Sequence, residues 1–479
     1  MSNDARAESA VPLCVDLDGT LIHSDLLIES ALALIKRNPL YLFRMLLWLA
    51  RGRANLKREV ARRAKVDVAT LPWDSRVVAL LNSERPRRPL VLCTASDQTL
   101  ADAVARHMGC FARAMGSDGT HNLAGRRKAA ALVEAYGEHG FDYAGNATPD
   151  LAIWAHARRA YVVNASAKLA DRAGRVSEVA RLLPRGHTGL RLWIKALRLH
   201  QWAKNVLVFA PLLAAHMLLR PVAVAHAVAA FVIFGCCASG VYVLNDLLDL
   251  SADRAHPRKR KRPFASGRLP LTAGLAMAPL LTVAAFVAAY FLAPRFALAL
   301  LGYYVLTLAY SFKLKQIAML DVLVLAGLYT LRIIAGTVAI GVASSFWLLA
   351  FSMFLFLSLA LVKRYTELVS QRDSGKTAAP GRGYAVSDAS LLATLGGASG
   401  YLSVLVLALY IDSTASAALY RHPQWLWLMC PLLLYWVSRV WIIAHRGAMD
   451  DDPVVFAMKD NVSRIVLVLA AAVVVVAIL

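Results

Sequence analysis

The sequence predicts two joined parts: an α/β domain built on a parallel sheet, then an all-α transmembrane bundle of nine helices. Three observations predict this. Residues 1–190 mix polar and apolar segments and contain "VPLCVDLDGTLI" (11–22), an apolar run ending in carboxylates. From about Asn205 to Leu479 the chain is a succession of apolar stretches, each near the ~20 residues that a helix needs to cross a bilayer core. Lys and Arg then gather in alternate loops between those stretches. With 58% hydrophobic residues in 479, the chain is too apolar for an ordinary soluble protein.

The first segment, "MSNDARAESA", is polar and leads into a strand, so it is not a signal peptide and the first half is expected in the cytosol. Residues 11–22 read as a buried parallel strand whose C-terminal end presents Asp16 and Asp18. "LVLCTAS" (90–96) reads as a second strand, ending at Thr94. Between them, "PLYLFRMLLWLARG" (39–52) is strongly apolar with basic flanks and too short to span. It suits either a packed core or an interfacial helix; core packing is the reading adopted. The α/β domain is assigned to 1–165, an Arg-rich helical linker to 166–195 and the membrane domain to 196–479. The six Cys form no CxxC pair and no His/Cys ligand spacing, so they read as reduced fillers without zinc or disulfides.

Nine spans are expected, at roughly 203–219, 222–246, 272–293, 296–312, 320–340, 345–362, 390–411, 424–444 and 462–479. Loops after the even spans hold Arg254, Arg258 to Arg262, Arg268, Lys313, Lys315, Lys363, Arg364, Arg372, Lys376, Arg382, Arg446 and Lys459. Loops after the odd spans hold only Arg220, Arg295 and Arg421. The positive-inside rule places the N-terminus in the cytoplasm and the C-terminus outside, in a bacterial inner membrane. The same rule accounts for the net charge of +22; no aromatic-interleaved basic patch points to nucleic acid.

"NDLLDLSADRAHPRKRKRP" (245–263) follows the second span. As a helix it carries Asp246, Asp249 and Asp253 at i, i+3 and i+7, on one face, with Asn245 close by. Three like charges on one stripe repel, and a divalent cation removes the repulsion. Hard oxygen ligands suit Mg²⁺, which completes its shell with substrate phosphates. The basic run ending in Arg262 would attract the same anionic substrate. A solvated, positive-inside loop explains the Lys and Arg but not the acidic stripe.

N-D-x-x-D-x-x-x-D at this place resembles the UbiA superfamily of intramembrane prenyltransferases, over roughly 190–479. "LRLHQWAKNVLVFAPLLA" (197–214) is similar to its opening helix and "YSFKLK" (310–315) to its Tyr-plus-Lys loop. The resemblance implies Mg²⁺ and a diphosphate on Asn245, Asp246, Asp249 and Asp253, with Lys204 and Lys313 neutralising the remaining charge. Where the family carries a second D-x-x-x-D, this chain has "LVKRYTEL" (361–368). Lys363 and Arg364, with Arg382 and Tyr384 of "GRGY" (381–384), suit a second phosphate rather than a second metal. This departure resembles the branch that moves phosphoribosyl from phosphoribosyl pyrophosphate onto a polyprenyl phosphate of the decaprenyl type, with a role in cell-wall biosynthesis. The resemblance implies electrostatic, positional catalysis. Asp321 and Arg332, about 16 Å apart along one helix, pair or orient substrate; Arg332 is assigned to substrate.

The D-x-D-G-T motif resembles the haloacid dehalogenase (HAD) superfamily, with Thr94, Lys128 in "RRKAAAL" and Asp150 in "YAGNATPDLAIW" following in order. The resemblance implies a Rossmann-like domain with a helical cap at about 25–88. It makes Asp16 the nucleophile and Asp18 the acid/base, with phosphoryl contacts from Thr94 and Lys128. Mg²⁺ would lie on Asp16, the Asp18 carbonyl, Asn146 and Asp150. Asn146 stands where that family has Asp, which lowers metal affinity. The domain is expected either to remove the 5-phosphate from the lipid product or to be vestigial.

His256 is assigned equally to phosphate or a loop cap, and Trp202, Tyr303, Trp425, Trp427 and Trp441 to belt or core. Two rival functions stay open: prenyl transfer from a polyprenyl diphosphate to an aromatic acceptor such as 4-hydroxybenzoate, and a transporter or anchor carrying a phosphatase. Lipid length and oligomeric state are not legible.

Overall fold

The computed structural model describes residues 11–186, 188–373, 382–449 and 453–479. The polar segment 1–10, Lys376 and Gly381 lie outside the described residues. The chain divides into two compact units, Met1–Leu197 with Tyr242–Ala278, and Arg198–Val241 with Pro279–Leu479.

The first unit holds a six-stranded sheet: β1 (Leu13–Val15), β2 (Leu90–Asp97), β3 (Arg113–Ser117), β4 (Asp142–Gly145), β5 (Arg159–Val163) and β6 (Glu178–Leu183). All neighbours pair in parallel, in the order β3-β2-β1-β4-β5-β6. That is the Rossmann-like order expected, and its topological switch point lies between β1 and β4. Alternation divides β1 between two cores. Leu13 and Val15 join one, while Cys14 joins the other with Val91, Cys93 and Tyr143.

Four α-helices, Leu26–Arg37, Tyr41–Ala50, Arg53–Arg63 and Ser75–Glu84, lie between β1 and β2, as a helical insertion requires. The second does not pack as expected. None of its residues is buried, and Phe43 and Leu47 are 65% and 68% exposed. The expected linker also differs, because residues 178–183 form β6, paired with β5. An edge strand exposes most of its side chains, so "EVARLL" lacks the apolar run that marks β1 and β2.

Among the described residues eight helices are long and apolar enough to cross a membrane: Pro221–Leu248, Leu271–Leu292, Pro294–Phe312, Leu320–Ile340, Phe346–Asp373, Val386–Ile411, Pro423–His445 and Asn461–Ile478. Each overlaps an expected span, but the Phe346–Asp373 helix runs past the expected end at 362 and takes in Lys363, Arg364 and Arg372, which were expected in a loop. The first expected span, 203–219, does not form such a helix. It is a 3₁₀ stretch, Leu199–Phe209, followed by the short helix Ala210–Ala214. Pro211 removes a backbone donor there, and the Val208 carbonyl presses against Gly336, where any Cβ would stand 2.2 Å from it.

Candidate functional site

The carboxyl end of the parallel sheet gathers the first cluster. Asp16 follows β1 and Asn146 follows β4, one on each side of the switch point. Lys128, on the helix Arg126–Tyr136, donates to Asp16 Oδ1 at 2.8 Å, to the Cys93 carbonyl at 3.1 Å and to the Tyr143 hydroxyl at 3.0 Å. Burial opposes its charge, yet Asp16 and its neighbours hold the ammonium pKa above its ordinary value. Tyr143 in turn donates to Asp150 Oδ1 at 3.2 Å. The other Asp150 oxygen accepts from the Asn146 and Ala147 amides, each at 2.9 Å.

Asp18 accepts from Ser96 Oγ at 2.9 Å and from the Leu26 amide at 2.8 Å. Burial, then repulsion from Asp25 and Asp16, raises its carboxyl to about 7. Burial and Asp16 likewise raise Asp150 to about 6. Thr94 is fully buried and its hydroxyl accepts from the Ser96 amide. Gly19 has φ +77°, and a Cβ there would lie 2.1 Å from the Asn146 amide nitrogen. The left-handed backbone there favours glycine, and the Asn146 side-chain amide occupies the space that a Cβ would take. All the sequence-chosen residues of this cluster converge. Ser96 and Tyr143 were missed. Ser96 was readable from its two-residue spacing after Thr94 on a strand, whereas Tyr143 left no local signal.

A cavity of about 740 Å³ opens beside this cluster, lined by Asp18, Asp25, Arg76, Asn146, Asn164 and Arg268, among others. It is large enough for a phosphorylated sugar. The acidic stripe belongs to the same unit. The Pro221–Leu248 helix ends just before Asp249, and the short helix Leu250–Ala255 continues from it. Asp246 and Asp253 are both buried and face one cation, with Arg262 Nη1 3.1 Å from Asp246 Oδ1 and 2.5 Å from Asp253 Oδ2. Burial raises the Asp253 pKa. Asp249 does not join them; its carboxylate meets Lys36 Nζ at 2.7 Å. Among the described residues no group of three His, Cys, Asp or Glu side chains stands in metal-ligand geometry. The Asp246–Asp253 pair fits a divalent ion at the guanidinium position, while the expected three-carboxylate set is split. Arg254 pairs bidentately with Glu29, at 2.7 and 2.8 Å.

The second unit corrects two assignments. Asp321 and Arg332 do not pair. Arg332 donates from Nε to Asn205 at 3.0 Å, from Nη1 to the Leu328 carbonyl at 2.6 Å and from Nη2 to the Tyr303 hydroxyl at 3.2 Å. It also lies over the rings of Phe234, Tyr303 and Tyr329. Three of its five N–H donors are thus held by the protein. Asp321 instead meets Arg364 Nε at 2.7 Å and accepts from the Tyr384 hydroxyl at 2.5 Å. Arg364 also pairs with Glu367, and Arg382 donates to the Tyr310 hydroxyl at 3.1 Å. Arg364, Arg382 and Tyr384 do converge, but Asp321 and Glu367 neutralise the two guanidinium groups. Lys204 and Lys363 are half-buried and Lys313 is exposed.

The model of the UbiA prenyltransferase family matches residues 207–477, more than half of the chain. The chain belongs to the UbiA prenyltransferase family. The uncharacterized protein y4nM of Sinorhizobium fredii is 38% identical over 456 residues, 95% of this chain and 88% of its own. The nodulation protein NoeC of Azorhizobium caulinodans is 37% identical over 280 residues, 57% of this chain and 89% of its own. Decaprenyl-phosphate phosphoribosyltransferase of Mycolicibacterium smegmatis is 33% identical over 279 residues, 57% of this chain and 87% of its own. With eight long apolar helices, this UbiA-family chain is an integral membrane protein related to phosphoribosyltransferases. Asp246, Asp249 and Asp253 are held by internal cations, Arg262 and Lys36.

Proposed function

We propose that the chain transfers phosphoribosyl from phosphoribosyl pyrophosphate to a polyprenyl phosphate, in a bacterial inner membrane, with residues 245–263 on the cytoplasmic side. The observation that carries this reading is the convergence of Asp246 and Asp253 on one cationic point, in a chain 33% identical to a decaprenyl-phosphate phosphoribosyltransferase. Asp246 and Asp253, with Asn245 and Asp249 beside them, would hold Mg²⁺, which when bound stabilises a departing diphosphate. Arg262 is within reach of the same diphosphate once it leaves the carboxylates. The acceptor phosphate is already anionic and needs no base, so these residues act by positioning and electrostatics.

The N-terminal domain is proposed as a HAD-like phosphatase acting on the 5-phosphate of that product. Asp16 attacks phosphorus and the ester oxygen leaves with a proton from Asp18, whose carboxyl is raised to about 7. Lys128 neutralises Asp16 and the incoming phosphoryl oxygens, and Thr94 borders them. Asp16, the Asp18 carbonyl, Asn146 and Asp150 would hold its Mg²⁺.

Membranes incubated with labelled phosphoribosyl pyrophosphate and decaprenyl phosphate should yield a lipid-extractable labelled product. A product formed only from a polyprenyl diphosphate and 4-hydroxybenzoate would replace this reading with aromatic prenylation. Loss of dephosphorylation in an Asp16→Asn variant, with transfer retained, is the expected separation of the two activities.

A further inference from the structure

The helix Tyr41–Ala50 is built the wrong way round for a water-facing element. Leu42, Phe43, Leu46, Leu47 and Leu49 are between 45% and 68% exposed. At 3.6 residues per turn these five fall within an arc of about 160°. The opposite side is the one held by protein. Tyr41, Met45 and Trp48 are half-buried there; the Arg63 guanidinium lies 4.9 Å from the Trp48 ring, and Asn55 donates to the Trp48 carbonyl at 3.1 Å. The side of Tyr41, Met45 and Trp48 is thus anchored, and the apolar stripe is aimed outward.

What could cover it follows from charge and length. No Asp or Glu occurs between Glu29 and Glu59, while Arg37, Arg44, Arg51 and Arg53 are all exposed around the stripe. An apolar face rimmed by cations matches the acyl and headgroup layers of an anionic leaflet. Ten residues rise only about 15 Å, half of a bilayer core, so the helix cannot span it. A bilayer is also the one apolar partner always at hand, because the same chain carries eight helices able to cross one.

We propose that the Tyr41–Ala50 helix is an interfacial anchor, seated in the headgroup region of an anionic bilayer with Leu42, Phe43, Leu46, Leu47 and Leu49 among the acyl chains. Arg37, Arg44, Arg51 and Arg53 contact lipid phosphates. The insertion after β1 is thereby tied to the surface on which lipid substrates are presented. The assignment stands without the transferase or phosphatase reading.

The test uses the full chain in nanodiscs containing phosphatidylglycerol. An environment-sensitive fluorophore is attached at Leu46→Cys, and in a second sample at Arg87→Cys, an exposed site just before β2; labelling of the parent chain is subtracted. Doxyl-labelled phospholipid should quench the fluorophore at position 46 at least threefold more than at position 87. Adding Phe43→Glu and Leu47→Glu, both at exposed positions, should reduce quenching at 46 to the level at 87. Equal quenching at the two positions overturns the proposal. So does a blue-shifted fluorophore at 46 that lipid does not quench, which means that a protein surface covers the helix.

Discussion

Arg364 lies fully buried with its Nε 2.7 Å from the Asp321 carboxylate, joining the helices Phe346–Asp373 and Leu320–Ile340. A pair so enclosed is costly to break because the survivor is a buried, uncompensated charge. Asp321→Asn or Arg364→Met alone should therefore destabilise the protein by about 3–5 kcal/mol. The double variant Asp321→Leu with Arg364→Met should recover much of the loss. Thermal unfolding in detergent measures both.

Arg332 makes a contrasting case. Its guanidinium places three of its five N–H donors on Asn205, Leu328 and Tyr303. An Arg332→Gln variant should unfold at a lower temperature while its KM for phosphoribosyl pyrophosphate stays within about twofold of the parent. A large rise in KM at unchanged stability would return this residue to the substrate.

Asp246→Asn and Asp253→Asn should each lower transfer by about a hundredfold or more, through loss of transition-state charge stabilisation. EDTA should abolish the same activity, and Mg²⁺ should restore it. Labelled lipid product is the readout for both.

Asp18 has a folded pKa of about 7 against an ordinary value of 3.8. The unfolded chain releases this proton near pH 4 and the folded chain only near pH 7, so stability is lost as pH rises between those values. Asp18→Asn should raise the unfolding temperature relative to the parent at pH 8, with the difference vanishing toward pH 4. Phosphatase turnover, if Asp18 supplies the proton, should fall as pH climbs through about 7. On the acidic side it should fall below about 6, where Asp150 becomes protonated.

Asn146 offers its side-chain oxygen to the Thr20 hydroxyl at 3.3 Å but brings no charge to the cluster. Asn146→Asp should lower the Mg²⁺ concentration for half-maximal phosphatase rate by about tenfold. Isothermal titration with Mg²⁺ provides a readout independent of turnover.

The α/β domain was legible because its signals are local. A strand that ends in carboxylates announces itself, and Asp16, Thr94, Lys128 and Asp150 meet where parallel strands must bring them. Eight spans were legible from apolar length alone. Three things were not. The shape of the 3₁₀ stretch Leu199–Phe209 depends on Gly336 and Arg332, over a hundred residues away. β6 is an edge strand with no apolar alternation. The pairing of Asp321 with Arg364 rather than Arg332 is a tertiary choice, made between helices and invisible to spacing along one of them.

Lys36 and Arg262 give the acidic rim its own built-in counter-ions. A bare divalent ion must compete with both for carboxylates that are already neutral. A sugar diphosphate arriving with its metal brings negative charge as well, which the two side chains can follow outward. On the proposed reading, a rim so neutralised would favour the preformed complex over either component, and kinetics in which neither free metal nor free donor binds first would be the outcome.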